Sequence, residues 1–298
     1  MLALPACRAA RVDTHAPDAA PEQRLLLLDT AHAGARLVAV GEAGRIVYSD
    51  DAGSHWQRAQ TPTTALLTAV YFVDAQHGWA VGHDMLILAT HDGGQHWQQQ
   101  FSAPQESRPL LDVWFKNPKQ GYAVGAYGAM LITHDGGASW QAQHQTEDDH
   151  HLYAIQGCTD GSLLLAGEAG TLRRSEDAGK TWQAVPTPYA GSYFGIIQLP
   201  NDGLLLFGLR GHILRSSDQG KHWDEVASPT QVSLMGGTRL KNGHIVLTGA
   251  AGTVLESADA GRTFTTRPGG GFLAWSSVIE SAHGLWLAGE AGISPLKE

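Results

Sequence analysis

Apolar and polar residues alternate in short runs along this chain, and residues 68–98 display the alternation most clearly. A period of two is typical of β-strands with one buried face, and clusters of Gly, Asp and His between such runs indicate turns. The pattern predicts an inner strand at Thr68–Val73, a second at Gly78–Val81, a third at Leu86–Thr90 and an outer strand beginning at His96–Gln98. We therefore expect a four-stranded antiparallel sheet.

The last turn of this sheet contains an eight-residue motif, THDGGQHW at 90–97, which occurs six times along the chain. The aspartates at its third position are 41, 43, 42, 41 and 41 residues apart. A steady period of roughly 40–45 residues is the length of a four-stranded propeller blade. The aspartates, and the aromatic residues that end the motifs, are Asp51, Asp92, Asp135, Asp177, Asp218, Asp259, Trp56, Trp97, Trp140, Trp182, Trp223 and Phe264.

We interpret this motif as the Asp-box, also called the BNR repeat, and assign it a structural role. A short carboxylate can accept hydrogen bonds from the backbone of its own turn, and the glycine two residues later permits a positive φ. The aromatic ring then packs between neighbouring sheets. Because each carboxylate is committed to its turn, catalytic and Ca²⁺-binding roles are disfavoured for these aspartates.

A second repeated turn, GxxG, lies eight to ten residues upstream of each Asp-box and occurs seven times. Only the second blade departs from it, with Met85 in place of the second glycine. The seventh copy predicts a seventh blade without an Asp-box. The predicted fold is therefore all-β, a seven-bladed β-propeller of four-stranded antiparallel blades. The first glycines of the turns are Gly41, Gly82, Gly125, Gly167, Gly208, Gly249 and Gly289.

The predicted propeller occupies residues 25–298 as a single domain, with its first inner strand at Leu25–Asp29. Only six residues follow Gly292, too few for a fourth strand in the last blade. Circular arrays avoid exposed sheet edges, so we expect a strand from segment 1–24 to complete it, with Ala9–Asp13 and Met1–Leu4 as candidates. The alternative is an open seventh blade.

Composition and charge narrow the range of possible functions. A net charge of −9, from 20 basic and 29 acidic residues among 298, disfavours nonspecific nucleic-acid binding and binding to anionic membranes. No stretch approaches the ~18 apolar residues of a membrane span. The two cysteines, Cys7 and Cys158, form no disulfide framework. The start, MLALPAC, resembles the end of an export signal before a lipoprotein-type cysteine, which favours the periplasm, with an ordinary terminus and a cytoplasmic location as the alternative.

In a four-stranded blade, the turns between the second and third strands share a face with the links to the next blade, and the Asp-boxes lie on the opposite face. Variable links on a regular scaffold are common recognition sites. The candidate binding residues on this face are Glu42, His83, Asp84, Arg108, Tyr127, His150, His151, Glu168, Tyr189, Tyr193, Arg210, Arg267 and Glu290, with Phe194 and Trp275 as further candidates. Tyr193, Phe194 and Trp275 equally fit an inner-strand core.

One link, HQTEDDHH at 144–151, has three histidines and three acids, which are ligand types for transition metals. Its spacing matches no defined metal site, so a solvated charged loop is favoured. We predict neither a metal nor a cofactor.

The repeat GxxGxxxxSxDxGxxW, as in GYAVGAYGAMLITHDGGASW at 121–140 and AGEAGTLRRSEDAGKTW at 166–182, resembles that of the photosystem II assembly and stability factor family from about residue 25 to residue 292. The resemblance implies a non-enzymatic platform that chaperones insertion of a reaction-centre subunit through a basic patch. This chain departs from that pattern, because only Arg108, Arg210 and Arg267 are clear basic candidates on the predicted face. We expect a monomeric scaffold that binds a membrane-protein complex or its subunit, and no nucleic acid.

Two alternatives remain open from the sequence. Glycoside hydrolases also carry Asp-boxes, and Glu42, Glu168 and Glu290 could supply an acid and a base if two faced each other at ~5–9.5 Å. Their equivalent positions in repeated GEAG turns favour a shared turn role instead, and a sialidase-type Arg-Ile-Pro motif is absent. The other alternative, an accessory protein of a membrane transporter in the periplasm, rests on MLALPAC and on the platform-like fold.

Overall fold

The computed structural model describes residues 25–143 and 149–297, which form 27 β-strands in seven antiparallel sheets. In each sheet the strands follow one another in chain order from the innermost outward. The first three sheets contain β1 (Leu27–Ala33), β2 (Arg36–Gly41), β3 (Ile46–Ser49), β4 (Gln57–Arg58), β5 (Leu67–Phe72), β6 (Gly78–Gly82), β7 (Ile87–Thr90), β8 (Gln98–Phe101), β9 (Leu110–Phe115), β10 (Gly121–Gly125), β11 (Met130–Thr133) and β12 (Gln141–Ala142).

The remaining four sheets continue the same order around the ring. They contain β13 (Leu152–Gly157), β14 (Leu163–Gly167), β15 (Leu172–Ser175), β16 (Gln183–Ala184), β17 (Tyr193–Gln198), β18 (Leu204–Gly208), β19 (Ile213–Ser216), β20 (Asp224–Val226), β21 (Leu234–Arg239), β22 (Ile245–Gly249), β23 (Val254–Ser257), β24 (Thr265–Thr266), β25 (Trp275–Ser281), β26 (Gly284–Gly289) and β27 (Gly292–Pro295).

The sheets close into a ring. The first strand of each sheet contacts the first strand of the next, and β25 contacts β1 in turn. Seven apolar clusters fill the seven interfaces between neighbouring blades. The predicted all-β, seven-bladed propeller is therefore confirmed. The last sheet has three strands among the described residues, and the closing strand expected in segment 1–24 lies outside them.

Burial explains the composition of the individual strands. The second strands β2, β6, β10, β14, β18 and β22 are almost wholly buried because neighbouring blades cover both of their faces. Fully buried strands read as continuous apolar runs, such as GWAVG in β6. Most outer strands are only two residues long and exposed.

Strand boundaries differ slightly from those expected. In the second blade the inner strand spans Leu67–Phe72 and the outer strand begins at Gln98, both within two residues of the prediction. The first inner strand is not Leu25–Asp29 but Leu27–Ala33, because its pairing with β2 continues to the turn at Gly34, where φ is +65°. Leu28 and Asp29, expected at the end of this strand, therefore lie near its start.

Candidate functional site

The six Asp-boxes share one hydrogen-bond network. In the second, Thr90 Oγ1 donates to Asp92 Oδ1 at 2.8 Å, and the backbone N–H groups of Gly94 and His96 donate to Thr90 Oγ1 and Asp92 Oδ1. His96 Nδ1 lies 2.7 Å from Asp92 Oδ2. The other five boxes repeat this arrangement, with Ser, Thr or His at the position of His96.

These hydrogen bonds hold the box carboxylates in their ionised form. For Asp51, bonds from the backbone and side chain of His55 and from Ser49 lower the pKa to about 2. For Asp92, partial burial raises the pKa, but bonds from His96, Thr90 and Gln95 outweigh it, and the pKa again falls to about 2. The pKa values of Asp135, Asp177, Asp218 and Asp259 are also lowered to about 2. Each box carboxylate is therefore engaged within its own turn.

On the opposite face, which we call the turn face, three glutamates have one common contact. Glu42 Oε1 accepts from Leu26 N at 3.1 Å, Glu168 Oε1 from His151 N at 2.8 Å, and Glu290 Oε2 from Ala274 N at 3.1 Å. In each case the donor lies on the link just before the inner strand of the same blade. The three glutamates thus brace equivalent turns, each within its own blade.

The basic candidates of the turn face are mostly paired. Arg108 Nη2 contacts Glu106 Oε2 at 2.5 Å, and Arg267 Nη1 contacts Glu256 Oε2 at 3.0 Å. Arg210 is exposed within its turn, where its φ is +56°. A basic patch on this face is therefore not apparent among the described residues. His83, Asp84 and Glu290 are exposed in the same way.

Two aromatic candidates belong to the core and not to the surface. Tyr193 is fully buried, and its hydroxyl donates to the carbonyl of Tyr189 at 2.7 Å. Trp275 is also buried, with its indole N–H bonded to the carbonyl of Gly270. Neither side chain can meet a partner. Tyr189 remains half-buried and stacks on His212 with 3.6 Å between the ring centroids.

The structure joins other candidates into a strip of aromatic rings that runs from the rim toward the central channel. Tyr127 lies edge-on to His151 at 4.7 Å between centroids, His151 to Tyr153 at 6.1 Å, and Tyr153 to Phe194 at 5.1 Å. The backbone N–H of Tyr127 also donates to His151 Nδ1 at 2.9 Å. The neighbouring His150 is held separately, 2.9 Å from Thr171 Oγ1. Sequence reasoning missed Tyr153, which connects the strip.

Each inner strand contains a β-bulge one residue after its start, where one residue is skipped in the pairing with the second strand. The start of the inner strand pairs with the first glycine of the GxxG turn, as Leu27 does with Gly41, so all seven bulges lie on the turn face. The skipped residues surround the channel mouth, and we call them the bulge ring: Leu28, Thr68, Leu111, Tyr153, Phe194, Met235 and Ser276.

The bulge ring opens into a channel cavity of about 460 Å³. The next residue of each inner strand is small or acidic, with Asp29 and Asp112 as the two carboxylates. Asp29 accepts from the backbone of Val70 and Thr30 and from Ser277 Oγ, and Asp112 accepts from the backbone of Ile155 and Val113. Each carboxylate thereby caps a backbone N–H on the inner strand of the next blade.

Protein surrounds both channel carboxylates although they border the lumen. This burial raises the pKa of Asp29 to about 6, against the opposing effect of its hydrogen bonds from Val70, Thr30 and Ser277. Burial likewise raises the pKa of Asp112 to about 7; the hydrogen bond from Ile155 lowers it and the nearby charge of Asp29 raises it further. No lysine, arginine or histidine lines the cavity in the described part of the chain.

Apolar exposure is concentrated on the turn face. Among the described residues, the exposed large apolar side chains are Tyr127, Met235 and Phe272, with 54%, 40% and 93% of their surface accessible. Tyr127 lies in a GxxG turn, Met235 in the bulge ring and Phe272 on the link between the sixth and seventh blades. Exposed apolar groups of this size, rimmed by polar residues, mark interaction sites more often than single scattered side chains do.

Three other features of the described residues bear on function: metal-ligand side chains, the cysteine and the length of the helices. Within residues 25–143 and 149–297, no group of three or more His, Cys, Asp or Glu side chains could hold a metal ion, and residues 144–148 of the HQTEDDHH link lie outside the description. Cys158 is free and half-buried, and burial raises the pKa of its thiol. No helix in the described ranges has the length and apolar character needed to cross a bilayer.

The fold and repeats define a seven-bladed Asp-box propeller, and comparison with known proteins identifies its family. The family described as photosynthesis system II assembly factor YCF48 matches residues 48–109 and 100–252. The chain belongs to this family, as the repeats alone suggested.

Individual relatives agree with this assignment. The photosystem II assembly protein Ycf48 of Thermosynechococcus vestitus is 40% identical over 131 residues, which cover 44% of this chain and 38% of that protein. The photosystem II assembly lipoprotein Ycf48 of Prochlorococcus marinus (strain MIT 9313) is 40% identical over 141 residues, 47% of this chain and 42% of that protein. The match thus spans about two fifths of each relative. A solved structure, YCF48 bound to D1 peptide, has the same fold, with a TM-score of 0.72 at 22% identity over 91% of this chain and 92% of that one.

Proposed function

We propose that this chain is a non-catalytic assembly factor that binds an exposed segment of a membrane-protein subunit, of the D1 type, on its turn face. Family membership supports an assembly role, and the solved relative with a D1 peptide supports a peptide segment as the client. The observation that carries the proposal is that the exposed large apolar side chains of the described residues, Tyr127, Met235 and Phe272, all lie on the face away from the Asp-boxes.

The turn face is better suited to binding a protein partner than to hydrolysing a glycoside. Glu42, Glu168 and Glu290 each accept a backbone hydrogen bond in their own blade, so all three have the same bracing role in their turns. We also propose that the protein works at the membrane surface within the cell envelope. Relatives named lipoproteins support this location.

Binding of labelled peptides that tile the D1 subunit, followed by fluorescence anisotropy, tests the proposal. We expect saturable binding of one or two overlapping peptides to the full chain. The double variant Tyr127→Ala, Phe272→Asp should weaken that binding at least roughly tenfold, since it removes two exposed contacts of the kind that dominate interfaces. The control His134→Ala changes an exposed residue of an Asp-box and should bind as the unchanged chain does.

Absence of any saturable D1 peptide would overturn this proposal. So would affinity that is unchanged in the double variant or reduced equally by His134→Ala. Recovery from solubilised membranes of a transporter, through the same two residues and in place of a reaction-centre subunit, would instead favour the accessory-protein alternative.

A further inference from the structure

The central channel combines two chemically different layers at its mouth on the turn face. The outer layer is the bulge ring, in which five of the seven side chains are apolar: Leu28, Leu111, Tyr153, Phe194 and Met235. The inner layer begins one residue further along each strand, about 3.3 Å deeper. Asp29 and Asp112 provide its two carboxylates, between Ala69, Ala154, Gly195, Gly236 and Ser277.

The small residues of the inner layer leave space beside the carboxylates. Alanine and glycine fill little of the cavity, so its volume of about 460 Å³ extends past the ring into the channel. A side chain that enters would therefore pass an apolar ring first and reach the two acids next. This order of environments matches a long aliphatic stem that ends in a cation, which is how lysine and arginine span apolar and polar layers.

The carboxylates keep capacity to accept hydrogen bonds. An ionised carboxylate offers about four acceptor positions. Asp29 uses three of them, on Thr30, Val70 and Ser277, and Asp112 uses two, on Val113 and Ile155. The open positions adjoin the lumen, because both residues line the cavity.

Electrostatics favour the same guest. No described basic residue lines the cavity, so the two carboxylates have no cationic partner there. The repulsion of Asp112 by Asp29, which contributes to the raised pKa of Asp112, would be relieved by a positive charge between them. An apolar guest would leave the carboxylates unpaired in a less hydrated site, and an acidic guest would be repelled.

We infer that the channel mouth on the turn face binds one lysine or arginine side chain of a partner's peptide segment, with its stem in the bulge ring and its cationic head at Asp29 and Asp112. The inference rests on the proposed function, since it names the chemistry by which a protein segment would be recognised. It gives this acidic chain a selectivity that a basic surface patch could not provide.

Host–guest peptides test the inference directly. The probes are acetyl-Gly-Ser-Leu-X-Leu-Ser-Gly-amide peptides in which X is lysine, arginine or norleucine; norleucine keeps the stem of lysine without the amine. We expect the lysine and arginine peptides to bind the full chain at least roughly tenfold more tightly than the norleucine peptide, as charge-assisted hydrogen bonds are stronger than neutral ones. In the double variant Asp29→Asn, Asp112→Asn the three affinities should become similar.

A matched control is Asp224→Asn, which changes an exposed acid of an outer strand away from the channel and should keep the preference. If the double variant does not fold, carbodiimide cross-linking of the lysine peptide to the unchanged chain gives an independent measurement. Mass spectrometry should map the new amide bonds to Asp29 or Asp112.

Equal affinity of the lysine and norleucine peptides, binding of none of them, or cross-links found only at Glu42, Glu168 and Glu290 would overturn the inference. Its failure is distinguishable from failure of the proposed function. D1 peptides that bind through Tyr127 and Phe272 without any preference for a cation would leave the platform intact and remove only the channel site.

Discussion

Trp286 of the seventh blade packs edge-on against Trp56 of the first, with 5.8 Å between the ring centroids and 67° between the ring planes. The indole of Trp286 also covers Gly53 of the first Asp-box so closely that a Cβ there would lie 2.2 Å from the ring. Leu37, Ala288 and Ile293 join the same apolar cluster. Within the described residues, the contact between the last and first blades therefore combines this packing with the hydrogen bonds that join Ser277 to Asp29 and Thr30.

Replacement of Trp286 by alanine should loosen this contact. The truncation removes the contact with Trp56, and because Trp286 is only partly buried, the loss should be below that of a fully buried aromatic, on the order of 2 kcal/mol. We expect a lower midpoint of urea unfolding, followed by far-ultraviolet circular dichroism. His283→Ala, an exposed change in the same blade, should leave the midpoint within experimental error. Equal midpoints for both variants would show that ring closure does not depend on Trp286.

The contrast between repeated and variable positions explains what the sequence could predict. The GxxG turns and Asp-boxes need particular backbone conformations, so the same residue types recur and the period is visible. Trp286 stands three residues before its turn glycine, where the first blade has Val38 and the fourth has Leu164. The second blade does have tryptophan there, Trp79, but packing accepts any apolar side chain that fits, so this position has no fixed residue type in the repeat.

The candidate site was less predictable for the same reason. The bulge residues lie thirteen or fourteen residues before the first glycine of each turn, but they include Leu, Thr, Tyr, Phe, Met and Ser. Their position can be recovered from the period once one of them is known. Their direction into the channel depends on the bulge, which is a property of backbone pairing and not of residue type. Phe194 was a candidate, whereas Tyr153 and Met235 were not.

The channel carboxylates should make stability fall as the pH rises from about 4 to about 7. The pKa of Asp29 rises from 3.8 to about 6 and that of Asp112 from 3.8 to about 7 on folding, so the folded state holds these protons more tightly. Their contribution is complete below pH 4 and is lost as the pH rises to 7 and beyond. At about 1.4 kcal/mol per pKa unit, the loss is on the order of 3 kcal/mol for Asp29 and 4 kcal/mol for Asp112.

Chemical unfolding at several pH values between 4 and 8.5 measures this loss. The variant Asp112→Asn should have a shallower decline than the unchanged chain, because one of the two titrating groups is gone. Asp224→Asn, on an exposed outer strand, should keep the full decline. Identical slopes for all three proteins would contradict the assignment to the channel.

The Asp-boxes should have the opposite effect and make stability fall at acid pH. Their carboxyl pKa values are lowered to about 2 on folding, so their contribution is present above pH 4 and is lost as the pH falls through 2. Asp92→Ala should therefore unfold at a lower temperature than the unchanged chain at pH 5, with a difference that shrinks toward pH 2. A difference independent of pH would mean that the ionised form of Asp92 is not what stabilises the turn.

Substitution of the bracing glutamates should lower the stability of the fold, and no glycoside turnover should depend on them. Glu168→Ala removes the acceptor for His151 N and should cost about 1 kcal/mol, whereas Glu168→Gln keeps a side-chain oxygen there and should cost less. Thermal unfolding compares the two variants. A glycoside turnover assay serves as the second readout, and activity that disappears in both variants would contradict the structural role.

The position of Tyr127 at the rim depends on His151, whose Nδ1 accepts the backbone N–H of Tyr127 and whose ring lies edge-on to the tyrosine. His151→Leu should release the turn, because leucine has no acceptor. His151→Asn places an oxygen near the same point and should hold the backbone while shortening the aromatic strip. With a D1 peptide as probe, we expect His151→Leu to weaken binding by roughly tenfold, equivalent to about 1.4 kcal/mol, and His151→Asn to weaken it less. Equal losses in the two variants would mean that the ring of His151 contacts the partner itself, so the hydrogen bond would not be its main contribution. No loss in either would place the docking surface away from the strip.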